Sequence, residues 1–205
     1  MQATHPQRLG KEDLNWMSEL LTEAFLCKPP ITKLFPTARQ QKQTQEFMRC
    51  VCNYALMFGE CYTTTARQGV ALWLPPNETS ISLRKMIRAG ILPAPIRLGP
   101  RAFCRVLRFT SKTGKSHKSA ATVPHYYLMM LGVRPSEQGK GIGKLLVRHG
   151  LELAARQQVP TYLETQTSDN VGVYQRMGFE VVTKDVLSNI GDFRNWGMLH
   201  PAITS

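Results

Sequence analysis

Residues 133–150 read VRPSEQGKGIGKLLVRHG, with glycines at 139, 141 and 143. Glycines in such a run let backbone N–H groups approach an anion, and a helix starting there adds its partial positive charge. This is phosphate-binding chemistry, suited to a nucleoside triphosphate, a dinucleotide or coenzyme A. A nucleotide P-loop is excluded. Gly114-Lys115-Ser116 mimics its end, but its first glycine would fall on Phe109, and no apolar strand leads directly into it. A dinucleotide loop fails on spacing, because Gly-x-Gly-x-Gly stands where Gly-x-Gly-x-x-Gly is needed and five residues including Pro135 precede the first glycine. Glu164 lies at a suitable distance for a ribose-binding acid, yet too little chain follows it for a second half of alternating strands and helices.

These residues need elements to hold them. Apolar periodicity (Leu14, Met17, Leu20, Leu21, Ala24, Phe25) predicts a helix over 11–26, stopped by Pro29-Pro30, and a second helix covers 37–58. The β-rich runs 61–66 and 70–74, separated by Arg67-Gln68-Gly69, predict an antiparallel hairpin closed by Pro75-Pro76. Two basic helices are expected over 80–89 and 96–109, then a polar loop over 110–122. The second basic helix would place Arg97, Arg101, Arg105 and Arg108 on one face, opposite Leu98, Ala102, Val106 and Phe109. Beyond it the pattern reads strand 126–133, helix 141–158, strand 161–165, short helix 170–177, strand 179–186 and a last strand 195–200.

Composition narrows the class. A chain of 205 residues, 42% hydrophobic, is long enough for one full core and short for two, so a single domain is expected over 1–205. Residues 1–11 lack a signal-peptide core and no run of eighteen apolar residues occurs, which predicts a soluble protein without membrane insertion. The five cysteines are odd in number and hold no Cys-x-x-Cys, and the five histidines form no ligand spacing. Neither a disulfide framework nor a metal site is indicated, and a cytoplasmic location follows. Cys50 and Cys52 read as small thiols on a helix rather than redox partners.

The net charge of +12 is concentrated, because no Asp or Glu occurs between Thr79 and Ser136 while eleven Lys and Arg do. Such a segment attracts anions: a phosphorylated cofactor, an acidic acceptor, nucleic acid or a membrane surface. The arginine stripe admits a solvated face, an acceptor site, or a nucleic-acid or membrane contact.

Val133-Arg134-Pro135-Ser136-Glu137-Gln138-Gly139-Lys140-Gly141-Ile142-Gly143, followed by Leu145-Leu146, resembles the acyl-CoA-binding signature of the GNAT superfamily of N-acyltransferases. Gln138, Gly141 and Gly143 match its core, Gln/Arg-x-x-Gly-x-Gly/Ala. Leu163-Glu164-Thr165, Asp169-Asn170, Tyr174 and Gly178-Phe179-Glu180-Val181-Val182 resemble the second signature of strand, short helix and Gly-Phe strand start. Asp169 is suited to cap that helix and Gly178 to end it in a left-handed conformation. The resemblance is specific over 124–182. Ala71-Leu72-Trp73-Leu74-Pro75-Pro76 with the basic helices after it resembles the puromycin-acetyltransferase-like branch.

The resemblance implies an α+β, three-layer α/β/α fold on a central mixed, mostly antiparallel sheet of about six to seven strands, splayed at the CoA cleft. A basic helical insertion at 77–122 would shape the acceptor side. The family's N-terminal strand would have to be 3–9, interrupted by Pro6. The implied cofactor is acetyl-CoA, held by Leu131, Gly132, Val133, Gln138, Gly139, Lys140, Gly141, Ile142, Gly143, Lys144, Asn170 and Tyr174. Backbone N–H groups near 131–133 would stabilise the developing oxyanion, and Tyr174 would protonate the leaving thiolate. Glu164 or His125 would serve as general base, directly or through water. Against these stand a core tyrosine, an exposed strand-end carboxylate and a structural histidine. Gln138 and Asn170 also suit loop and cap hydrogen bonds, and Lys140 and Lys144 also suit solvated positions.

The implied activity is acetyl transfer from acetyl-CoA to a primary amine, of a small molecule or else of a protein or peptide. A non-catalytic acyl-CoA-binding module is the other class. The expected partners are acetyl-CoA and the amine acceptor, with nucleic acid a minor alternative.

Overall fold

The computed structural model of the chain describes residues 5–187 and 193–202. Its seven strands form one sheet in the order β1-β2-β3-β4-β5-β7-β6. They are β1 Gln7–Arg8, β2 Glu60–Thr63, β3 Gly69–Leu74, β4 Tyr126–Val133, β5 Thr161–Thr165, β6 Glu180–Leu187 and β7 Phe193–His200. Every neighbouring pair is antiparallel except β4 and β5, which run parallel. The mixed, mostly antiparallel α+β sheet is therefore present. Of the expected strand over 3–9, only Gln7–Arg8 pairs with β2, and residues 1–4 lie outside the described residues.

Alternation along β3 distributes the core between two helical layers. Val70 and Leu72 face α1 (Leu14–Phe25) and α3 (Gln40–Phe58), in a cluster with Met17, Leu21, Met48 and Cys52. Ala71 and Trp73 face α7 (Ile142–Arg156), in a cluster with Leu146 and Val147. The Trp73 ring is fully buried on Gly150, where a Cβ would collide with it. Burying a ring of that size is worth about 3 kcal/mol, and glycine on α7 permits it. Between α1 and α3 a single turn, α2 (Ile31–Leu34), buries Ile31 and Leu34. A further helix, α8 (Ser168–Gln175), follows β5 on the α7 side.

The basic region departs from the sequence pattern in two ways. The helix over 80–89 shortens to α4 (Leu83–Arg88), and the helix over 96–109 is two helices, α5 (Ala94–Leu98) and α6 (Pro100–Ala120). Gly99, at φ +82°, breaks the chain between them, and Pro100 occupies the first helical turn, where its missing N–H costs nothing. Secondly, the polar loop expected over 110–122 is helical as far as Ala120. Ala102, Val106, Thr113 and His117 continue one buried stripe, and the Thr110 and Thr113 hydroxyls donate back to the carbonyls of Val106 and Phe109, which hides their polarity from the packed face. Tertiary burial of that stripe overrides the polar composition. Gly114-Lys115-Ser116 accordingly lies within a helix. Among the described residues no helix is long and apolar enough to cross a membrane.

Candidate active site

The site begins where β4 and β5 part. Their parallel pairing covers Tyr126–Thr161, Tyr127–Tyr162 and Leu128–Leu163 and goes no further. At the same point β4 carries one extra residue: Leu128 and Met130 pair with the consecutive residues Trp73 and Leu72, so Met129 has no partner on β3. Such a bulge bends its strand and turns it from its neighbour. Met129 and Met130 then face the same layer, both packing on the α1/α3 side, while Leu131 and Val133 face α7. Gly132 meets α1 closely, since a Cβ there would lie 2.5 Å from Leu21 Cδ2 and 3.3 Å from the Ala24 Cβ.

The parting opens a cavity of about 1150 Å³ that runs through the sheet from one helical layer to the other. Leu131, Gly132 and Val133 line it, as do Gln138, Gly139, Gly141, Ile142, Gly143 and Lys144 at the start of α7. Gly139 and Gly141 have φ of +79° and +81°, and a Cβ on either would meet nothing within 4 Å. Glycine is needed here for the left-handed backbone, and the space beside it is open to a ligand. Gln138 donates from Nε2 to the Val133 carbonyl at 3.0 Å, tying the loop to the strand end. Lys140 Nζ lies 3.1 Å from Glu137 Oε1, and Lys140 does not line the cavity.

Past β5, the Asn170 side chain donates to Thr165 Oγ1 at 3.2 Å and fixes the start of α8 to the strand end. The N-cap of α8 is Thr167, so Asp169 lies inside the first turn and does not cap it. Gly178, at φ +91°, ends the helix region as expected, with Phe179 N–H donating to the Tyr174 carbonyl. Tyr174 packs edge-on to Phe179, lines the cavity from the α7 side, and has its phenol pushed up to about 12 by burial. It therefore holds its proton at neutral pH.

Glu164 lines the cavity from the opposite face. Period-two alternation puts it with Tyr162 on the α3/α6 side, whereas Leu163 packs with Tyr174. It is a half-buried carboxylate rather than an exposed strand-end one. Asn195 Nδ2 donates to its Oε1 at 3.1 Å, Tyr162 OH to the same oxygen at 3.4 Å, and Tyr127 OH to its Oε2 at 3.3 Å. Burial raises its carboxyl to about 7 although all three hydrogen bonds favour the charged form. A carboxylate at that value accepts a proton readily at neutral pH and releases it to solvent afterwards.

His125 is buried and bonded at both nitrogens. Its Nδ1 lies 2.7 Å from the Val123 carbonyl and its Nε2 lies 2.7 Å from His117 Nε2. The carbonyl can only accept, so Nδ1 carries the proton, Nε2 accepts, and His117 donates from Nε2. Burial lowers both imidazoles, with His117 brought down to about 4, so the pair is neutral at pH 7. His117 also stacks flat on Tyr162, 4.6 Å between centroids. Sequence reasoning missed His117 because it read 110–122 as a loop. Its position four residues after Thr113 in the buried stripe was the available signal.

None of Arg97, Arg101, Arg105 and Arg108 lines the cavity. They do not share one helix either: Arg97, on α5, pairs with Glu46 at 3.2 Å, and Arg105 Nε donates to the Leu34 carbonyl at 2.6 Å. Arg101 and Arg108 are exposed.

Residues 102–179, which contain the loop, both strands of the cleft and Tyr174, match the acetyltransferase (GNAT) family. An uncharacterised N-acetyltransferase of Schizosaccharomyces pombe is 23% identical over 180 residues, covering 84% of this chain and 73% of that protein. A peptidyl-lysine N-acetyltransferase of Salmonella typhimurium is 38% identical over 61 residues, 30% of this chain and 41% of that protein. Among solved structures, a histone acetyltransferase HPA2-related acetyltransferase from Corynebacterium glutamicum superposes with a TM-score of 0.63 at 20% identity, over 98% of each chain.

Proposed function

The chain belongs to the GNAT acetyltransferase family, and from that premise we propose that it transfers an acetyl group from acetyl-CoA directly to the primary amine of a small molecule. The observation that carries this reading is that a carboxyl near 7 and a buried phenol near 12 open onto one cavity from opposite faces of the sheet, beside a glycine loop with open space for phosphate. A purely binding module has no use for that pair.

Acetyl-CoA would supply the acyl group as a thioester. The residues suited to hold it are the backbone of Leu131, Gly132 and Val133, the N–H groups of the 139–143 loop and the start of α7. Glu164 takes the proton that the acceptor ammonium must lose before its nitrogen bonds to the acyl carbon. As the C–S bond breaks, Tyr174 gives its proton to the thiolate, and the phenolate is neutralised from solvent. Backbone N–H groups of 131–133 favour the charge developing on the acyl oxygen. His125, with both nitrogens engaged, is a positioning group and not the base. The five free thiols favour a reducing cytoplasm. An acceptor amine on a peptide is the second reading, favoured by the Salmonella relative.

Ligand-dependent melting tests the cofactor. Acetyl-CoA should raise Tm by mass action, with NAD and ATP far weaker at equal concentration. Gly141→Glu puts a negative charge where phosphate would sit and should abolish the shift; an unchanged shift would overturn the loop assignment.

A further inference from the structure

The two ends of the cavity differ in chemistry. One is the glycine loop and the start of α8. The other is walled by helices α3 to α6, and its lining there is mostly apolar, with Phe47, Val51, Met86 and Phe103 among the side chains. Ile81, Leu83 and Leu107 also line it while remaining 47%, 69% and 40% exposed, so large apolar side chains stand wet around its edge. Apolar surface held open to water is stabilised by any apolar ligand that covers it.

Charge sharpens the specificity. The carboxylates lining the cavity, among the described residues, are Glu137, Glu164 and Asp169. Glu137 is taken up by Lys140 and by Gln68 Nε2 at 2.8 Å, and Asp169 lies on α8 beside Asn170, at the loop end. Among the described residues, Glu164 alone remains to face an ammonium at the apolar end. Lys28, Lys115 and Lys118 line the cavity as well and form no ion pair among the described residues. A second or third positive charge on an acceptor would meet lysines and, among the described residues, no further carboxylate.

Resting on the acetyl-transfer reading above, we infer that the acceptor is a primary amine with a single positive charge on an apolar alkyl or aryl body, and that polycationic amines are excluded. The four arginines of 97–108 play no part in its recognition.

The test compares hexylamine and 2-phenylethylamine with spermidine and a lysine-containing peptide, by CoA release at saturating acetyl-CoA and by calorimetric binding to the CoA-loaded protein. The two apolar monoamines should exceed spermidine and the peptide at least ~10-fold in kcat/KM, the scale of discrimination an apolar pocket achieves. Leu107→Glu, at an exposed position that tolerates charge, should lower kcat/KM for hexylamine about 10-fold and narrow the gap to spermidine, with the KM for acetyl-CoA unchanged. Equal or better use of spermidine or the peptide overturns the inference, as does a Leu107→Glu variant with the parent's preference. Binding of hexylamine without CoA release from any amine would uphold the apolar site and overturn acetyl transfer. Binding of none of the apolar monoamines would overturn the site itself.

Discussion

His117 and His125 face each other through Nε2 atoms 2.7 Å apart, one residue delivered by the last turn of a helix and the other by the residue before β4. The contact fastens the end of α6, the wall of the cavity, to the strand that forms its floor. Because both rings are neutral and buried, protonation must weaken it.

The linkage sign follows. Lowered histidine values mean that the unfolded chain binds protons more tightly, so the stabilisation is complete above about pH 6.5, the unfolded value, and is lost as pH falls toward about 4. Tm should fall across that window. His117→Phe keeps the stack on Tyr162 and removes one titrating ring, so its Tm should be lower at pH 7 and less steep in acid. A parallel Tm profile in parent and variant would contradict the neutral pair.

For Glu164 the sign is opposite. Its raised carboxyl favours folding below about 4.5 and the benefit is lost as pH rises through about 7, so Glu164→Gln should gain relative Tm at pH 8 over pH 5. Activity runs the other way: kcat/KM of the parent should rise with pH through an apparent value near 7. In Glu164→Gln that limb should disappear, with a loss of about 10²-fold at neutral pH that alkaline buffer partly restores. A variant with the parent's pH profile would return the base role to water or another group.

Tyr174→Phe separates proton donation from packing. The ring still meets Phe179, so Tm and acetyl-CoA affinity should barely change while kcat drops about 10²-fold. Undiminished turnover would leave Tyr174 a core residue.

Gly150→Ala tests the sheet's other layer. Its new methyl group would enter the Trp73 ring, so α7 must move outward, at about 1–3 kcal/mol of overpacking. A clear fall in Tm is expected, with acetyl-CoA affinity falling too because the glycine loop leads into the same helix. A Tm within a degree of the parent would show that Trp73 can repack.

The cleft strands were legible residue for residue, since β4 is an apolar run shortly after Pro124 and β5 a short β-rich run directly after Pro160, and the glycine loop was legible because a left-handed backbone admits few other residues. Glu164 and Tyr174, which line the cavity, were named because the resemblance places them at fixed offsets from those signals. What tertiary structure decided was everything set by contact across the chain. Residues 110–120 are polar in composition and helical only because Thr113 and His117 find a buried face to fill. Arg97 and Arg105 looked like one stripe, and each is drawn to a different partner, Glu46 and the Leu34 carbonyl. Glu164 owes its raised proton affinity to burial, which outweighs the hydrogen bonds from Tyr127 and Asn195, on strands that lie far apart in sequence and adjacent in the sheet. Local pattern encodes backbone geometry, whereas desolvation and apolar lining are sums over neighbours that only the folded chain assembles.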